Sequence, residues 1–111
     1  MKDEEVNTVV ACDASAIGEG QALKVELNGL QIALFNIGGE FFALNDRCSH
    51  GNASMSEGYV EDDFTVECPL HSARFCVRTG VPQCQPATER IATYPITIVD
   101  GKVCVTLEPT P

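Results

Sequence analysis

An all-β domain of antiparallel strands is what this sequence predicts, and three observations carry the prediction. Short apolar, β-branched runs recur along the 111 residues with turn signals between them. Asn28-Gly29, Gly38-Gly39 and Asp100-Gly101 fall between such runs, and each supplies residues that tolerate positive φ, as two-residue hairpin turns require. No segment holds the 3.6-residue apolar period over the length of a long helix.

The elements follow in order. Thr8 to Ala11 is the first strand, and Asp13 to Gly20, which lacks alternation, is a turn or a single helical turn with Asp13 as its cap. Leu23 to Leu27 and Gln31 to Ile37 flank Asn28-Gly29 and form a hairpin; Gln31 to Ile37 and Phe41 to Leu44 flank Gly38-Gly39 and form the next. Phe64 to Glu67 is a further short strand, and Ile96 to Val99 with Val103 to Leu107 closes a hairpin over Asp100-Gly101. Glu108-Pro109-Thr110-Pro111 reads as a frayed tail, and there is no internal repeat.

A chain of this length makes one domain over residues 1–111, large enough to bury roughly two thirds of its unfolded surface without staples. Seven basic against sixteen acidic residues give a net charge of −9, which disfavours nucleic acid and anionic membrane surfaces and favours a partner with a basic docking patch. The runs Asp3-Glu4-Glu5 and Glu61-Asp62-Asp63 are open to either reading, solvated surface or docking surface. No stretch reaches the roughly 18 apolar residues of a membrane span. Lys2-Asp3-Glu4-Glu5 follows Met1 where an export signal would be apolar, so the expected compartment is the cytoplasm and the six cysteines are not read as a secreted disulfide scaffold.

The chemistry lies in two short clusters, Cys48-Ser49-His50 and Cys68-Pro69-Leu70-His71. Two thiols and two imidazoles make a mixed donor set suited to a metal centre with chemically different ends. A structural zinc site uses the same donors and stays open as an interaction-module alternative, although zinc modules usually build a small domain around the metal, and this chain has ample strand sequence of its own. Cys12 and Cys104 lie in apolar strand-like runs and read as small buried hydrophobes; Cys76 and Cys84 are assigned no function. No nucleophile elbow, phosphate-cradling loop or dinucleotide fingerprint is present, and both histidines are used by the clusters, so no catalysis by the chain alone is expected.

The two clusters, with Cys68 to Gly80 reading C-P-L-H-S-A-R-F-C-V-R-T-G and with Pro82 and Gln85-Pro86-Ala87 beyond, resemble the soluble Rieske-type [2Fe–2S] ferredoxins of bacterial aromatic-ring dioxygenases. The resemblance is specific over about forty residues. It implies a small antiparallel β-sandwich with a cluster-binding subdomain, residues 45–86, of two hairpin loops covered by a proline loop around Pro86. It also implies one [2Fe–2S] cluster per chain, with Cys48 and Cys68 on the inner iron and His50 and His71 on the outer, surface-facing one. The partners it implies are an NAD(P)H-dependent flavoprotein reductase upstream and, downstream, a terminal oxygenase with a Rieske centre and mononuclear iron, in aromatic hydrocarbon catabolism. A small diffusing shuttle of this kind is expected to be a monomer. A Rieske subunit of another redox complex is the alternative within the same chemistry.

The resemblance also places the potential. Two ferric ions and two sulfides with two thiolates and two neutral imidazoles sum to zero charge, so an electron is added more easily than to a four-thiolate site. Respiratory members carry a disulfide where this chain has Ala53 and Leu70, and hydroxyl donors where it has Ala73 and Phe75. Fewer donors to the cluster imply the bottom of the Rieske range, roughly −150 mV. Deprotonation of the iron-bound imidazoles implies a potential flat near neutrality and falling in alkaline solution. Met55, Leu70, Phe75 and Pro86 either shield the cluster or pack the loop bases, and Gly51, Gly58 and Gly80 are expected in tight turns near it. Arg74 and Arg78 are expected in salt bridges with acidic neighbours.

Overall fold

The computed structural model describes residues 8–47, 53–69, 74–83 and 90–108. Ten strands are found among them, paired antiparallel throughout. β1 (Thr8–Asp13), β10 (Lys102–Thr106) and β9 (Ile96–Val99) form one sheet in the order β1-β10-β9. β2 (Ala22–Leu27), β3 (Leu30–Ile37), β4 (Glu40–Asn45) and β8 (Thr93–Tyr94) form a second in the order β2-β3-β4-β8. β5 (Tyr59–Val60), β6 (Thr65–Glu67) and β7 (Arg74–Cys76) form a third.

The expected hairpins are all present, and their turns share one cause. Asn28 (φ 51°) with Gly29 (85°), Gly38 (64°) with Gly39 (89°), and Asp100 (52°) with Gly101 (74°) each put two consecutive residues in the left-handed region. That backbone twist matches the right-handed twist of the flanking strands, so the turns fix the registers Leu27↔Leu30, Ile37↔Glu40 and Val99↔Lys102.

The four-stranded sheet is the middle layer. Along β3 side chains alternate faces, and both faces are covered: Ala33, Phe35 and Ile37 join Leu44, Val66, Phe75 and Val77 in one buried cluster, while Ile32 and Leu34 join Val103, Val105 and Tyr94 in the other. Every residue from Ile32 to Ile37 is therefore buried, and the strand reads as a continuous apolar run rather than an alternating one. Its one buried polar side chain is satisfied, since Asn36 Nδ2 donates to the Ile17 carbonyl (2.8 Å) and Oδ1 accepts from the Gly39 amide (3.0 Å).

One expectation needs correction. Ala14–Ala16 does form a single 3₁₀ turn, but Asp13 does not cap it: Asp13 is still the last residue of β1, opposite Lys102, and its carboxylate pairs with the Lys102 ammonium instead. Within the segment after Asn45, β5 and β7 flank β6 and make a small sheet of their own, which adds two strands that the apolar runs do not mark. Strands of two or three residues are too short to leave a pattern in sequence.

Candidate metal centre

Observed pairings bracket three segments of the chain, and the pairing that closes each is its neck. The antiparallel bridge Arg47↔Ser54 brackets residues 48–53. The last β6–β7 pair, Glu67↔Arg74, brackets residues 68–73. The third neck encloses residues 84–89: the Gln83 amide donates to the Arg74 carbonyl (2.6 Å), and the Ile91 amide donates to the Gly80 carbonyl (2.9 Å). Arg74 thus belongs to two necks, placing the bases of the second and third segments side by side.

Of the four expected iron ligands, Cys68 is described, and Cys48, His50 and His71 lie outside the described residues. Cys68 follows β6 directly and is 1% exposed as a free thiol. It shares its buried cluster with Ala53, the last residue of the first segment, with Met55 just beyond that segment, and with Phe75, just beyond the second. Met55 and Phe75 are both fully buried there, so they pack the bases of the first and second segments. Leu70, Ala73, Pro86 and Cys84 lie outside the described residues, as does Gly51. Among the described residues no group of three or more metal-ligating side chains gathers.

Gly58 and Gly80 are required by close backbone approach. A Cβ on Gly58 would stand 2.3 Å from the Glu67 carbonyl oxygen across the β5–β6 pair. Its φ of −79° is ordinary and its amide donates to the Met55 carbonyl (3.0 Å), closing the short turn as expected, while what excludes a side chain is the neighbouring strand. Gly80 combines positive φ (76°) with a Cβ position 1.9 Å from the Ile91 carbonyl oxygen.

Charge around the necks is paired. Arg74 Nε lies 3.6 Å from Glu67 Oε1, and Arg78 lies 3.7 Å from Glu40 Oε1 while its guanidinium carbon sits 3.8 Å over the Phe64 ring. Phe64 itself holds a positive φ of 67°, uncommon for an aromatic residue. Arg78 above it, Phe42 edge-on at 5.8 Å and the Val77 amide donating to its carbonyl (3.0 Å) hold it in that conformation. The acidic run Glu61-Asp62-Asp63 lies in the β5–β6 turn, at the end of the small sheet opposite residues 68–73.

Sequence reading missed a polar clamp at the first neck. Asp46 is 3% exposed; its Oδ2 accepts from the Ser54 hydroxyl (2.6 Å), its Oδ1 from the Ser56 amide (2.9 Å), and Lys24 Nζ stands 3.7 Å away. An aspartate just past a strand reads as exposed until the fold shows what covers it.

The thiols beyond the segments differ in character. Burial pushes the Cys76 thiol up, but hydrogen bonds from the Thr79 hydroxyl and the Arg78 and Thr79 amides, with the Arg78 charge, outweigh it and lower its pKa. Burial and the Asp13 charge push the Cys12 thiol above its usual range.

Comparison with known proteins supplies a family for this arrangement. The Rieske [2Fe–2S] domain matches residues 7–95. The chain is 55% identical over 102 residues to the 3-phenylpropionate/cinnamic acid dioxygenase ferredoxin subunit of Escherichia coli strain K12, covering 92% of this chain and 95% of that one. The ferredoxin of Sphingomonas yanoikuyae B1 superposes with a TM-score of 0.85 at 34% identity, over 92% of this chain and all of that one. A chain from the complex of reduced oxygenase and oxidized ferredoxin in carbazole 1,9a-dioxygenase superposes with a TM-score of 0.89 at 32% identity, over 95% of this chain and 97% of that one.

Proposed function

The chain belongs to the Rieske [2Fe–2S] domain family and is an electron carrier of the dioxygenase-ferredoxin type rather than a catalyst, and from this premise we infer that Cys48, Cys68, His50 and His71 hold its cluster. The two thiolates are assigned to one iron and the two imidazoles to the other. When bound, the cluster takes up and returns a single electron.

The observation that carries the ligand reading is the arrangement of necks. Bridges Arg47↔Ser54 and Glu67↔Arg74 each enclose one Cys/His pair in sequence, and a buried Cys68, in no disulfide, stands at the second neck in a cluster shared with the flank of the first. The donor set fits the group: two thiolates neutralise the core charge and two neutral imidazoles complete four ligands without adding more. Residues 1–111 act as one domain, with 45–86 as the segment that carries the centre.

The chain's own residues set the environment. Phe75 occupies a fully buried place beside the second neck and has no hydroxyl to donate, and Ala53, also buried, cannot form a disulfide. Both leave the reduced centre's added charge with little stabilisation, which supports a potential near the low end of the Rieske range, roughly −150 mV. Such a potential suits receipt of electrons from a reduced flavin.

The carrier is assigned to an aromatic-ring dioxygenase system, receiving electrons from an NAD(P)H-dependent flavoprotein reductase and delivering them to a terminal oxygenase. The oxygenase side is supported by the likeness to a ferredoxin found with its oxygenase, and the aromatic class by the 3-phenylpropionate/cinnamic acid relative. With a net charge of −9, the carrier steers long-range toward a basic partner surface. The acidic β5–β6 turn, remote from residues 68–73, contributes to that field rather than to contact at the ligand end. We read it as a cytoplasmic, monomeric shuttle; no helix among the described residues is long and apolar enough to cross a membrane.

The test is visible absorption and EPR of the protein purified without added metal and reduced with dithionite, followed by potentiometry. A brown-red protein with a rhombic signal and a potential near −150 mV is expected. A colourless, EPR-silent, zinc-containing protein overturns the ligand reading, and a potential several hundred millivolts higher overturns the placement among dioxygenase carriers.

A further inference from the structure

We propose that Asp46 is the positioning residue of the first ligand-bearing segment, its buried carboxylate tying the strand that enters the segment to the limb that leaves it. The inference rests on the assignment of Cys48 and Cys68 as iron ligands. Asp46 lies just beyond β4 and two residues before Cys48. Its amide donates to the Gln31 carbonyl (2.9 Å), so the entering chain is still held by β3.

The other hydrogen bonds of Asp46 go to the leaving limb. Its carbonyl accepts from the Met55 amide (2.6 Å), its Oδ1 from the Ser56 amide (2.9 Å) and its Oδ2 from the Ser54 hydroxyl (2.6 Å). Ser54 and Ser56 are joined in turn through their hydroxyls (2.9 Å). Lys24 on β2 supplies the countercharge at 3.7 Å from Oδ2, with 48% of its side chain exposed against 4% for Asp46.

A buried carboxylate is costly unless both oxygens find donors, and the protein meets that cost at this one place on the neck. The chemistry explains why the residue is an acid: two oxygens engage two donors of the leaving limb while a charge engages a third element. The limb so fixed carries Ala53 and Met55 into the buried cluster that contains Cys68. The Asp46 clamp therefore sets how the first ligand-bearing segment sits against the thiol of the second.

The experiment compares the cluster-loaded wild type with Asp46→Ala, Asp46→Asn and Ser54→Ala. Readouts are the rate of cluster loss under excess chelator, iron content, EPR g-values and far-UV circular dichroism. Asp46→Ala is expected to lose its cluster about tenfold faster, with altered g-values and the β-sheet signal retained, as removal of a charge-assisted clamp requires. Asp46→Asn keeps the shape and an acceptor for the Ser56 amide but loses the charge and the second acceptor, so it should fall between wild type and Asp46→Ala, as should Ser54→Ala.

Wild-type loss rate and g-values in Asp46→Ala overturn the proposal. Should Asp46→Ala fail to fold, Ser54→Ala decides: faster cluster loss from an intact sheet supports the clamp, and an unchanged rate overturns it. A wild type without an iron–sulfur signal instead fails the ligand assignment, and the inference falls with it.

Discussion

Replacing Gly80 by alanine tests how tightly the third segment is tied to the second. Two costs are readable from the structure. Holding alanine at a φ of 76° costs about 1–2 kcal/mol. The new Cβ would also stand 1.9 Å from the Ile91 carbonyl oxygen, so the two backbones must part. Parting them breaks the bond from the Ile91 amide to the Gly80 carbonyl (2.9 Å), at a residue only 2% exposed, and orphaning a buried backbone group costs about 1–3 kcal/mol. The expected loss is about 2–5 kcal/mol, a large share of the roughly 5–15 kcal/mol that holds a domain folded. Gly101→Ala is the internal control: its φ is 74°, nothing lies within 4 Å of its Cβ position, and only the conformational cost of about 1–2 kcal/mol applies. Urea unfolding midpoints of the cluster-loaded proteins should therefore drop by about 1–2 M for Gly80→Ala and clearly less for Gly101→Ala. Equal midpoints for the two variants would refute the steric argument and with it the account of the third neck.

Three further outcomes follow from named contacts. Arg78→Ala should lower stability by about 1 kcal/mol, mostly through the lost stack over Phe64, because its ion pair with Glu40 is half exposed and screened; Glu40→Gln should then change thermal stability by no more than a few tenths. Cys76 should react with iodoacetamide at lower pH than Cys12, as read by peptide mapping, since its lowered pKa leaves more thiolate at any given pH; Arg78→Met should move the Cys76 profile upward. The linked stabilisation is present above the unfolded thiol pKa and lost as pH falls through the folded one, so Cys76→Ser should destabilise selectively in alkaline solution. Cys68→Ser should abolish the cluster while Cys104→Ser, whose buried thiol makes only a weak contact to the Lys102 carbonyl, keeps it; equal iron content in both would overturn the ligand assignment.

The fold class, the hairpins and the ligand candidates were legible in the chain itself because each rests on local chemistry. Asn28-Gly29, Gly38-Gly39 and Asp100-Gly101 need no tertiary context to adopt positive φ, and the spacing of Cys and His in two short clusters is a property of the sequence alone. Arg74 and Arg78 likewise found the acidic partners expected of them, Glu67 and Glu40. Other features depend on which segments meet. Gly58 looks like any turn glycine until Glu67 is brought against it, Asp13 looks like a helix cap until Lys102 arrives from the far end of the chain, and β5 and β7 are strands only because β6 lies between them. The burial of Asp46 belongs to the same kind. Its donors come from residues 54–56 and its countercharge from β2, and only the folded chain brings them together around one carboxylate. Local conformational preference and donor chemistry are written residue by residue, whereas burial and close approach are properties of pairs of distant segments.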